Sequence, residues 1–129
     1  MLDKIKQPNM IEEVPSSFTT HEFSKTVFNT DIKFSVLKME QSVLIWIGLK
    51  EQRHFSDLCL GLQSKFSDMP LSTHLFGNSP DGISKSFVSK IAKKLHKPVY
   101  LSYNVPDNQM MPEVIKSLVS EIENNPQYF

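Results

Sequence analysis

The run Ser42-Val43-Leu44-Ile45-Trp46-Ile47-Gly48-Leu49 has no polar face. Successive side chains of a strand point to opposite faces of a sheet, so a half-buried strand alternates apolar and polar residues. Here Val43, Ile45 and Ile47 share one face, Leu44 and Trp46 share the other, and all five are apolar. Both faces therefore call for a cover. In a chain of 129 residues the chain's own helices can supply one of them. The other requires a second layer or a second subunit, which favours an interaction protein over a self-contained enzyme.

The length fits one domain with a sizeable core. Fourteen basic and 14 acidic residues balance, so no global charge steers the chain to nucleic acid or to a membrane surface. One cysteine, Cys59, rules out an internal disulfide and suits a reducing compartment. The longest apolar run, Val43 to Leu49, is seven residues, against the roughly 20 that span a bilayer. Met1-Leu2-Asp3-Lys4-Ile5-Lys6 has no apolar signal-peptide core. The expectation is a soluble cytoplasmic protein, with nuclear entry through a partner.

Residues 1–15 carry two prolines and no sustained period, and read as a flexible leader or docking arm. Ser16 to Phe28 is rich in Thr, Phe and Val and reads as a strand. Asn29-Thr30-Asp31 supplies turn chemistry. Ile32, Phe34 and Val36 then alternate with polar residues, and this strand forms a hairpin with the apolar one. Leu58 to Leu62 alternates around Gly61. A helix through Phe55, Leu58, Leu62 and Phe66 is the other option, and Gly61 argues for the strand. Leu71 to Phe76 is a short strand after Pro70. Phe87, Val88, Ile91, Ala92 and Leu95 mark a helix, capped by Asp81 or Ser84 and stopped by Pro98. Val99 to Tyr103 is a strand, expected to lie parallel to a neighbour after the helical crossover. Pro112 to Asn124 is a second amphipathic helix. About six strands and two helices, the first five strands uninterrupted, predict an α+β fold with a mostly antiparallel sheet and two flanking helices.

No catalytic constellation stands out. His21, His54, His74 and His96 lack zinc-ligand spacing, and with one cysteine no metal or cofactor is expected. Cys59 sits between leucines and reads as a buried structural thiol. Gly77-Asn78-Ser79-Pro80-Asp81-Gly82 matches neither phosphate-binding fingerprint and reads as a turn before a helix. Lys85, Lys90, Lys93, Lys94 and Lys97 line the polar side of the first helix. They form either a solvated surface or an electrostatic docking face for an acidic protein. Trp46 is either a core residue or an interface anchor.

Three segments carry a resemblance: Ser42-Val43-Leu44-Ile45-Trp46-Ile47-Gly48, Pro70-Leu71-Ser72-Thr73-His74-Leu75-Phe76-Gly77 and Lys97-Pro98-Val99-Tyr100-Leu101-Ser102-Tyr103-Asn104. With His21-Glu22-Phe23-Ser24 near one end and Asn125-Pro126-Gln127-Tyr128-Phe129 at the other, residues 16–129 resemble the proteasome assembly chaperone 4 family as a single domain. The resemblance implies a non-enzymatic chaperone that uses no ATP and pairs with proteasome assembly chaperone 3. It further implies binding to α-type subunits of the 20S proteasome to promote α-ring assembly. The implied fold is a six-stranded sheet with flanking helices that gains a β-sandwich core on dimerisation. On this reading Phe34, Val36, Leu44 and Trp46 face the partner chaperone, and Lys90, Lys93, Lys94 and Lys97 dock a proteasome subunit. The isolated chain has the option of pairing with itself. A trafficking or signalling adaptor on a similar small scaffold is the alternative reading. A ligand-binding enzyme using Ser79 and Asp81 ranks behind both.

Overall fold

A computed structural model describes residues 17–77 and 83–129. The residues 1–15 read as a leader, and Asn78 to Gly82 of the glycine-bounded turn with its cap Asp81, lie outside the described residues. Among the described residues, six strands and two α-helices follow in the order β1 (Thr19–Val27), β2 (Thr30–Lys38), β3 (Val43–Leu49), β4 (Leu58–Leu62), β5 (Leu71–Phe76), α1 (Ile83–Leu95), β6 (Val99–Tyr103) and α2 (Met111–Asn124). Short 3-10 turns precede α2 at Asn108–Met110 and follow it at Pro126–Tyr128.

The strands form one sheet in the order β1-β2-β3-β6-β4-β5. Every pairing is antiparallel except that of β3 with β6. The α+β class and the mostly antiparallel sheet follow the sequence reading. The crossover through α1 gives β6 the parallel neighbour that the sequence predicts. It passes over β4, and that neighbour is β3. Two details differ from the sequence reading. The first hairpin turns on Phe28-Asn29, both at positive φ (50° and 64°), so β2 already begins at Thr30, which pairs with Val27. At the start of α1, Ser84 is buried inside the first turn rather than at the cap position.

Both helices pack on the same face of the sheet. Gly61 of β4 lies directly under α1: a Cβ there would stand 2.9 Å from the Val88 carbonyl oxygen and 3.0 Å from the Ala92 Cβ. Gly61 pairs with Val99, and Val99 pairs with Val43, so α1 covers the face of Val43, Ile45 and Ile47. At the β1 end, His21 Nε2 lies 2.9 Å from Glu121 of α2. His21 pairs with Val36, and Val36 with Ile45, which places α2 on that face as well. Val114, Leu118 and Ile122 come from one side of α2, spaced by the helical repeat, to meet it. Ile32, Phe34, Ile45, Ile47, Leu101, Phe87, Ile91 and Leu118 are fully buried between the two layers. The last turn closes the layer at β1, where the Tyr128 ring stacks on His21 with centroids 3.8 Å apart. Phe129 is buried, and Lys38 donates to the Gln127 carbonyl at 3.0 Å.

Candidate functional site on the uncovered face of the sheet

Among the described residues, no helix lies over the other face of the sheet. The register assembles a row across it: Leu37 pairs with Leu44, Leu44 with Tyr100, and Tyr100 with Leu60. All four are half-buried. Toward the β5 edge the surface becomes more exposed and, apart from Thr73 opposite Leu60, stays apolar. Leu62 is 38%, Leu71 61% and Leu75 45% exposed. Contiguous apolar surface of this kind marks a binding surface far more often than single scattered leucines do.

One end of the row has a partial cover from the chain itself. Trp46 projects from β3 on this face, and its indole N–H donates to the His54 carbonyl at 2.7 Å. That bond brings the Lys50–Ser56 segment across the sheet, where Arg53, His54 and Phe55 line a small cleft with Trp46 and Ser35. The Ser56 N–H donates to Asn104 Oδ1 at 2.8 Å and fastens the far end of the segment. Between β2 and β1, Lys33 pairs with Glu22 at 2.9 Å. The Lys33 hydrogen bond, aided by its charge, holds the Glu22 carboxyl below its ordinary range. The face therefore grades from charged at β1 to apolar at β4 and β5.

The residues expected to meet a partner chaperone divide between the two sides of the sheet. Leu44 and Trp46 lie on the uncovered face. Phe34 and Val36 do not. Phe34 is fully buried under the helices and Val36 is only 2% exposed, because odd and even positions of β2 serve opposite faces. Neither reaches a surface. Their β2 neighbour Leu37 occupies the position on the row instead, and Tyr100, Leu60 and Leu71 join it. The alternation of β4 carried the signal for Leu60. Tyr100 could be placed there only once β6 was known to lie between β3 and β4.

The lysine face separates in a similar way. Lys90 and Lys93 are exposed on α1 and, with Lys85, Met69, Pro70 and Ser72, line a groove of about 650 Å3. Lys94 instead pairs with Glu123 of α2 at 3.1 Å. Lys97 donates to the Phe129 main-chain oxygen, and partial burial, reinforced by the charge of Lys38, lowers its pKa. Lys94 thus ties α1 to α2, and Lys97 ties the turn after α1 to Phe129.

One group of potential metal donors also comes together. Asp57, Cys59 and His74 present a carboxylate oxygen, a thiol and an imidazole nitrogen within 4.8 Å of one another. The sequence did not pair them, since strands β4 and β5 must zip before Cys59 stands opposite His74. Burial, followed by the negative charge of Asp57, pushes the Cys59 thiol up to about 11. Cys59 is buried, as its leucine neighbours suggested, and with nothing bonded to its sulfur the thiol is protonated at neutral pH.

A family model described as proteasome assembly chaperone 4 matches residues 31–105, more than half of the chain. The chain belongs to the proteasome assembly chaperone 4 family. Two relatives named Proteasome assembly chaperone 4, from Mus musculus and Homo sapiens, are each 28% identical to it over 111 residues. The aligned stretch covers 84% of this chain and 89% of each relative. Among solved structures, a chain from the crystal structure of a novel chaperone complex for yeast 20S proteasome assembly shares the fold. The TM-score is 0.63 at 12% identity, over 81% of this chain and 96% of that one. In this proteasome assembly chaperone 4 family member the matched span runs from β2 through β6. It therefore contains the whole row Leu37-Leu44-Tyr100-Leu60.

Proposed function

We propose that this chain is a non-enzymatic proteasome assembly chaperone that acts as a heterodimer with proteasome assembly chaperone 3. The heterodimer promotes formation of the 20S proteasome α-ring, without ATP, in the cytoplasm and nucleus. The observation that carries this reading is the uncovered row Leu37-Leu44-Tyr100-Leu60 in a chain of this family. A second sheet laid over it about 10 Å away would complete a β-sandwich. It would also give Leu44 the second cover that a strand without a polar face demands. When the partner is lacking, the same row pairs two copies of this chain.

The helix layer lies on the other side of the sheet, so it remains free when the row is covered. Lys90 and Lys93, beside their groove, are the proposed contact for an acidic surface of a proteasome α-subunit. Charges at such a rim speed and orient docking more than they tighten it. The complex is then released as later subunits compete for overlapping space, a matter of differential affinity rather than of chemistry.

Co-expression with proteasome assembly chaperone 3, followed by size-exclusion chromatography with light scattering, tests the reading. A one-to-one complex that captures a proteasome α-subunit is the expected result. A folded chain that ignores both proteins would overturn it.

A further inference from the structure

At the start of β4 the fold gathers three side chains of different chemistry on the helix-covered side of the sheet. Cys59 and His74 are cross-strand partners of β4 and β5, so their side chains share one face. Asp57 stands two residues before Cys59, and the ladder register shifts between Leu58 and Cys59. The three donor atoms lie within 4.8 Å of one another.

The cluster is incompletely satisfied as it stands. His74 Nε2 contacts Asp57 Oδ1 at 2.5 Å, which uses one carboxylate oxygen. The other, Oδ2, is buried and has no hydrogen-bond partner, and the Asp57 side chain is only 9% exposed. Buried carboxylate oxygens are ordinarily paired, because removing them from water without a donor is costly. Lys85 is close enough for its charge to act on the Cys59 thiol, yet it makes no bond to Oδ2.

We propose that Asp57, Cys59 and His74 bind one zinc ion, with the fourth position open to water. A carboxylate, a thiolate and an imidazole are the donor types that zinc takes in tetrahedral sites. Calcium and magnesium require oxygen-rich shells that this set does not offer. Two donors of one tetrahedral zinc stand about 3.3 Å apart. The ion therefore replaces the direct His74–Asp57 contact, and the Asp57 carboxylate turns to offer whichever oxygen the geometry favours. On binding, Cys59 gives its proton to solvent and its sulfur bonds the metal, while the proton that His74 Nε2 donates to Asp57 leaves that nitrogen, passing to Nδ1 when Nδ1 is bare and to solvent when it is not; no electron moves. His74, 24% exposed at its side chain, is more open to solvent than Asp57 or the buried Cys59. The bound ion would tie the edge strand β5 to β4 and to the loop that leads into β4. It lies on the face opposite the row, so this site is independent of partner pairing.

Cobalt(II), a spectroscopic stand-in for zinc, tests the site on the full chain after removal of metal under a non-chelating reductant. The expected result is one cobalt per chain and a sulfur-to-cobalt charge-transfer band, both abolished by added zinc. His74→Gln should weaken the affinity at least about tenfold, and a folded Cys59→Ser chain should lose the band. The wild-type spectrum reads thiolate ligation directly, so the test stands even where a variant fails to fold. Absence of cobalt binding, binding without the charge-transfer band, or a His74→Gln chain with unchanged affinity would each overturn the assignment.

Discussion

The indole of Trp46 rests against Gly48, and a Cβ built on Gly48 would stand 2.6 Å from its Cη2 and 2.7 Å from its Cζ2. The two residues are next but one along β3 and share the uncovered face, so the bare glycine is what leaves room for the ring. The ring in turn holds the Lys50–Ser56 segment through the 2.7 Å bond to the His54 carbonyl. Gly48→Ala should push the indole off this position and break that bond. The expected cost is about 1–2 kcal/mol, from overpacking and a lost hydrogen bond. Trp46 is the sole tryptophan, so its emission reports the site directly and should shift to the red. An unchanged spectrum with unchanged stability would show that the ring does not depend on Gly48.

The turn between β1 and β2 carries strain that a single substitution can relieve. Phe28 and Asn29 have φ of 50° and 64°, a two-residue connection between the paired Val27 and Thr30. Positive φ at both central positions is the geometry of a type I′ turn, which favours Asn or Gly at its first central residue. A bulky side chain there costs roughly 1–2 kcal/mol. Phe28 is 67% exposed and recovers little of that through burial. Phe28→Asn should therefore raise stability by about 1 kcal/mol in urea unfolding. A lower unfolding midpoint would mean that the Phe28 ring makes contacts worth more than the strain.

Much of this architecture was legible in the sequence, and the misses share one cause. Elements announced by their own periodicity emerged at nearly the stated bounds: β3 from its run, β5 and β6 from their flanking prolines, both helices from their apolar arcs. Gly61 was read correctly as a strand residue. The reason for a glycine there, the close passage of the α1 backbone, required knowing that α1 lies on β4. What the sequence could not give was strand order. The order sets which face of β2 lies beneath the helices, and that decided against Phe34 and Val36 as surface residues. It likewise brings Tyr100 beside Leu60 and His74 beside Cys59, residues 40 and 15 positions apart in the chain. Contacts across a sheet are products of topology, and local pattern does not encode them.

Tyr103 offers a prediction with a definite sign in pH. Its ring packs edge-on against Phe87 with centroids 5.6 Å apart, while its hydroxyl is buried without a hydrogen-bond partner. Tyr103→Phe keeps the ring and removes the unpaired oxygen, so stability should rise by about 1 kcal/mol. Burial, followed by the charge of Asp107, raises the pKa of this phenol well above its ordinary range. The unfolded chain loses the proton near pH 10, while the folded chain retains it. The stability linked to this group is complete below about pH 10 and is lost as the pH climbs beyond it. Wild type should therefore lose stability more steeply than Tyr103→Phe on the alkaline side. Parallel slopes for the two proteins between neutral and alkaline pH would remove the assignment.

The row on the uncovered face predicts a sharp contrast between two substitutions on the same side of the sheet. Leu60 pairs with Tyr100 on one flank and with Thr73 on the other, and it is half-buried in the free chain. In the free chain an aspartate at this position can still reach water, so Leu60→Asp should remain folded. Covered by a second sheet, the same carboxylate would be buried without a partner, at a cost of several kcal/mol. Leu60→Asp should then weaken pairing with proteasome assembly chaperone 3 at least about 100-fold, since each 1.4 kcal/mol is a factor of ten. Ser24, exposed on β1 and paired with Lys33, shares the face but lies away from the row. Ser24→Asp should pair normally. Calorimetry on both variants, with circular dichroism to verify folding, separates a face-specific effect from a loss of structure. Equal affinity for the two variants would place the partner elsewhere, and loss of pairing in both would point to an interface that reaches the β1 edge.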